Sequence, residues 1–169
     1  MSESIDIGIK FDDSFDRQLR RHEPLFDPVS KLILHLGETW ISGDDIYCEV
    51  RAVGFFTQLL TLICDLDAAE SETAGKIQLY DETYLSLRLE SEKLTIEHRY
   101  NEAAIDNPDE RLGIGAESTA DFNQVALEAL EGAEQVNERI AEVINDTDQS
   151  KLYQLNTAIE AARERFGEE

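Results

Sequence analysis

Residues 5–11 alternate strictly, with Ile5, Ile7, Ile9 and Phe11 on one side and Asp6, Gly8 and Lys10 on the other. A period of two over a half-apolar run predicts a strand with one buried face. Asp12 to Arg21 is polar, with Phe15 and Leu19 at helical spacing, and predicts a short helix before a turn-prone stretch bearing Pro24 and Pro28.

Residues 28–41 fit two templates. Asp27 as N-cap, Pro28 at the first position, Val29, Leu32, Ile33 and Leu36 at helical spacing and Gly37 as stop describe a helix. Leu32, Leu34 and Leu36, alternating with Ile33 and His35, equally describe a buried strand. The next segment leans toward the strand, because Trp40-Ile41 and Ile46 to Val53 flank Ser42-Gly43-Asp44-Asp45, which suits a hairpin turn.

After a break at Gly54, Phe56, Leu59, Leu60, Ile63 and Leu66 form one helical stripe, expected at the centre of the core. An acidic loop from Asp67 to Gly75 leads to three strand-like runs, 76–80, 83–89 and 93–100. The short polar turns Asp81-Glu82 and Glu90-Ser91-Glu92 predict an antiparallel meander. Arg111 to Glu117 is a candidate last strand.

The C-terminal third is helical. Ser118 and Asp121 form a capping-box-like start, followed by Phe122, Ala126, Ala129, Ala133, Val136, Ile140 and Val143 at steps of four and three. After Asn145 to Asp148, Leu152, Leu155, Ile159, Ala162 and Phe166 continue that spacing, so the pair predicts an αα-hairpin. The expected fold class is α+β: an antiparallel sheet of about four to six strands, a buried central helix and this hairpin. The expected organisation is a sheet domain over residues 1–118 and helices over 119–169 packed on it. From Thr119 to Asn145 is 27 residues, about 40 Å of helix, which would overhang strands of about 17 to 24 Å. The distal stripe of Val136, Ile140, Val143 and Ile144 must then be covered by the second helix, a neighbouring subunit or a partner.

Charge adds an environmental reading. The 169 residues hold 37 Asp plus Glu against 15 Lys plus Arg, a net charge of −22. Every block of ten contains a carboxylate except residues 51–60, so the acidity is dispersed rather than gathered in a tail. The composition, poor in lysine, resembles that of cytosolic proteins from salt-accumulating halophiles, where molar salt shortens the Debye length to about 3 Å. Such a chain would repel nucleic acid. The uncharged run from Ala52 to Cys64 is too short for a bilayer, which needs about 20 residues. With an acidic start and two cysteines, a cytoplasmic protein with reduced thiols is expected.

Candidate chemistry is sparse. His98 lies in phase with Leu94, Ile96 and Tyr100, and a ligand pocket, if present, would gather His98, Tyr100 and Trp40. No histidine pair has metal-ligand spacing, Cys48 and Cys64 stand in phase with apolar neighbours, and no carboxylate pair sits in a calcium loop, so neither metal nor cofactor is expected. Leu112-Gly113-Ile114-Gly115 lacks the third glycine of a dinucleotide fingerprint. Arg17, Arg20, Arg21 and His22 concentrate positive charge, either pairing with nearby carboxylates or meeting an acidic partner. The functional expectation is a non-enzymatic interaction or assembly module. It would use Val136, Ile140, Val143 and Ile144 with Arg17, Arg20 and Arg21 as contacts to a protein partner or a second copy. A small-ligand-binding domain and an acidic nucleic-acid mimic are the alternatives.

Overall fold

The computed structural model describes residues 4–21, 27–43, 47–69, 73–101, 103, 117–143 and 149–167. The chain is α+β, with two four-stranded antiparallel sheets and a layer of helices enclosing one hydrophobic core. The strands are β1 (Ile5–Lys10), β2 (Val29–Leu36), β3 (Thr39–Ser42), β4 (Glu49–Arg51), β5 (Thr73–Gln78), β6 (Tyr84–Glu90), β7 (Lys93–Arg99) and β8 (Glu117–Asp121). The helices are α1 (Asp13–Arg20), α2 (Ala52–Ala68), α3 (Phe122–Val143) and α4 (Gln149–Phe166).

The ambiguity at residues 28–41 resolves as strand. β2 pairs with β1 along Lys31 to Leu36, while β3 and β4 share its other edge, at Leu34 to Leu36 and Val29 to Lys31. The expected hairpin between β3 and β4 is therefore replaced by two short strands on one long one. Ser42 holds the junction, donating from Oγ to the Leu32 carbonyl at 2.5 Å and accepting from the Cys48 amide at 2.8 Å. The tight turn lies instead between β2 and β3. There Gly37 sits at a φ of 62°, a conformation a Cβ disfavours.

Asp27 does cap a helix, but the helix is α2. Its two carboxylate oxygens accept from the Val53 and Gly54 amides at 2.7 and 3.1 Å. Gly54 therefore stands in the first turn of α2 rather than ending a strand. The expected stripe of Phe56, Leu59, Leu60, Ile63 and Leu66 is buried.

The meander β5-β6-β7 forms as expected and is continued by β8. Two of its turns use residues with positive φ that are not glycine, Glu82 at 68° and the pair Ser91 and Glu92 at 49° and 68°. Left-handed backbone at both central residues matches the twist of a two-residue hairpin. The last strand occupies Glu117–Asp121, so α3 begins at Phe122. Ser118 donates to the Leu36 carbonyl at 3.3 Å, tying the sheets together, while Asp121 accepts from the Gln124 amide at 3.2 Å. The described span of α3 has 22 residues, about 33 Å.

α3 packs on β1, and α2 packs on both α3 and α4. Gly132 makes the close approach possible. A Cβ there would lie 3.0 Å from the Phe56 ring and would collide with the Ile7 carbonyl oxygen.

Candidate functional site

The helical stripe expected to meet a partner is filled by the chain itself. Val136 and Ile140 are fully buried and Val143 is partly buried against the core, whereas Ile144 lies outside the described residues. The cover comes from α4 and α1. Asn137 donates to Asn156 on α4 at 3.0 Å, and Arg139 grips Asp16 of α1 with two parallel hydrogen bonds of 3.0 and 2.5 Å. As folded, Val136 and Ile140 offer no surface to another molecule, because their apolar area is already removed from water within the chain.

What the helical layer does expose is a groove between α2 and α4. It has a volume of about 380 Å³ and is lined by Leu60, Thr61, Cys64 and Asp65 on one wall and Tyr153, Gln154, Thr157, Ala158 and Ala161 on the other. Asp65 is its only charged lining residue. Tyr153 is 71% exposed, the most exposed large hydrophobic side chain among the described residues. On the α2 wall Thr61 is exposed, whereas Leu62 on the neighbouring face packs against Gly75 of β5. On a chain of net charge −22, a strip this poor in charge is a local exception. Half of it was visible as the run without carboxylates. Tyr153 lies off the apolar stripe of its helix, and that position is the sequence signal for it.

Cys64 stands in this groove and Cys48 in the core. Burial pushes the Cys48 thiol up to about 11. Burial also raises Cys64; Arg165 opposes the shift, while Asp65 and Asp67 add to it. Both are therefore protonated near neutral pH, Cys48 more firmly.

The second surface is on α1. Phe15 and Leu19 anchor this helix in the core, and Asp12 caps it by accepting from the Phe15 amide at 3.1 Å. Gln18 pairs with the start of β2, donating to the Val29 carbonyl and accepting from its amide, both at 2.9 Å. With Asp16 held by Arg139, the outward face presents Arg17, Arg20 and Arg21, all exposed. Among the described residues none of the three forms an ion pair, so the first of the two readings, pairing with nearby carboxylates, is not seen there. Every other described arginine is engaged. Arg88 and Arg99 pair around Glu97, Arg139 with Asp16, Arg163 with Glu134 and Arg165 with Asp67, while Arg51 donates to the Asp27 carbonyl. His22 lies outside the described residues.

The expected pocket residues belong to separate clusters. Trp40 stacks on His35, with ring centroids 4.3 Å apart, and also covers Gly43. His98 meets Tyr100 at 5.6 Å and Thr83 at 2.9 Å. The Thr83 hydroxyl donates to Asp81 at 2.5 Å and so accepts from the neutral His98 Nε2–H. Burial pushes the His98 pKa down; Asp81 opposes this and Arg99 adds to it. This chain of bonds ties the β5–β6 turn to β7. Among the described residues no group of three or more His, Cys, Asp or Glu is placed to hold a metal ion. No described helix is long and apolar enough to cross a membrane.

Compared with protein-family models, curated proteins and solved structures, the chain gives no match.

Proposed function

We propose that this protein is a non-enzymatic assembly module that pairs with a second copy of itself through the groove between α2 and α4, in the cytoplasm of a salt-accumulating organism. One observation carries this reading: a weakly charged strip centred on Thr61, Cys64, Tyr153 and Thr157, on a surface otherwise dense with carboxylates. Two bodies that each carry 22 net negative charges repel over most of their surfaces, and the strip is where they can approach at the lowest electrostatic cost. A two-fold dimer places the same patch on both sides, and with Asp65 as the one carboxylate in its lining the patch repels its own copy less than the rest of the surface would. Tyr153 supplies the aromatic anchor that interface centres favour, and the groove receives it. The dispersed acidity supports the high-salt setting, in which the remaining repulsion is screened.

Sedimentation velocity in molar KCl tests the proposal. Wild type is expected as a dimer that dissociates on dilution, and Thr61→Glu and Tyr153→Glu as folded monomers, because each would place a carboxylate opposite its own symmetry mate. A wild-type monomer at all concentrations, or a dimer untouched by both variants, overturns it.

A further inference from the structure

We infer that the outward face of α1 is a second docking surface, for an acidic segment of another protein. Arg17, Arg20 and Arg21 stand at i, i+3 and i+4, so the last turn of α1 and its C-cap residue bring three arginines to one side. The backbone beneath them is fixed by Phe15 and Leu19 in the core and by the paired hydrogen bonds of Gln18 to Val29. Their side chains are exposed and make no ion pair among the described residues, in a chain with 37 carboxylates and no other described arginine left unengaged. Three cations kept free on such a surface are available to carboxylates from outside.

The geometry selects the occupant. Arg17 to Arg21 spans about 6 Å of helix, at 1.5 Å rise per residue, enough for two or three carboxylates taken by the planar fork of arginine. A nucleic acid would extend beyond the patch onto a surface of net negative charge and be repelled. A short Glu-rich or Asp-rich peptide ends where the arginines end. This surface is separate from the α2–α4 groove, so the two proposals stand or fall independently.

The test is fluorescence anisotropy with labelled hexaglutamate, at the lowest KCl concentration at which circular dichroism shows the native fold. It is run on wild type and on Tyr153→Glu, so that any failure of self-association does not affect it. Saturable binding that weakens with salt is expected. A triple variant, Arg17→Gln with Arg20→Gln and Arg21→Gln, is expected to weaken it about tenfold or more, and the corresponding lysine triple less, because charge survives without the fork. Should the glutamine triple fail to fold, Arg20→Glu alone replaces it and is expected to weaken binding in the same direction. No saturable binding, equal binding by the arginine-free variant, or tighter binding of a six-nucleotide single strand than of the peptide overturns the proposal.

Discussion

Asp27 accepts from the amide of Val53, 26 residues further along the chain, at 2.7 Å, and its other oxygen reaches Gly54 at 3.1 Å. One buried carboxylate thus satisfies two of the free amides at the start of the helix that centres the core. Asp27→Ala is expected to lower stability by about 1 to 3 kcal/mol, through loss of the cap and the burial of unpaired amides. Asp27→Asn, which retains an oxygen acceptor, should cost less. Urea unfolding monitored by circular dichroism distinguishes the two.

Ile140 is fully buried between α3 and its neighbours, so it acts in stability rather than in recognition. Ile140→Ala is expected to destabilise by about 2 to 5 kcal/mol while leaving self-association intact in the fraction that remains folded. The outcome is read by pairing an unfolding curve with sedimentation. Dissociation without loss of stability would return this stripe to the list of contact surfaces.

His98 makes stability depend on pH. Burial holds its pKa below the ordinary value of about 6.5, so the unfolded chain takes up a proton in a range where the folded chain does not. Stability is therefore expected to rise with pH across the window beneath about 6.5 and to be lost as pH falls through it. His98→Gln, which can still bond to Thr83, should flatten this part of the profile. Urea midpoints at half-unit pH steps for both proteins give the comparison.

Salt should stabilise the fold. With a net charge of −22, repulsion among exposed carboxylates is screened as the Debye length falls from about 10 Å at 0.1 M to about 3 Å at 1 M. The urea midpoint is expected to climb with KCl over that range. Full stability at low ionic strength would make the acidity a functional feature rather than an adaptation to solvent.

The pattern of the chain was informative where a period ran long enough to stand out. The alternation of Ile7 and Ile9, with Ile5 partly buried beside them, the stripe from Phe56 to Leu66, and the spacing from Phe122 to Ile140 all reappear as buried faces. Local signals misled where their partner lay far away. Asp27 carried the mark of an N-cap, yet its helix starts beyond three intervening strands. Ser118 carried a capping mark but lies in β8, bonded to Leu36 on the other sheet. Trp40 and His98 were expected together, and each found a different neighbour. The groove was only half legible, because its two walls come from α2 and α4, and no linear pattern reports how two helices meet. The arginines of α1 were visible as a cluster, but their freedom from carboxylates depends on how Asp16 is drawn away to Arg139.

Self-association through the groove is tested most directly by the reactivity of Cys64, which lies within it, against the silent background of buried Cys48. The rate of alkylation by a small maleimide is measured in molar KCl at dilute and concentrated protein. Faster modification when dilute than when concentrated, and loss of that difference in Tyr153→Glu, are expected. An equal rate at every concentration, in samples that sedimentation shows to be dimeric, would place the interface elsewhere and contradict the account.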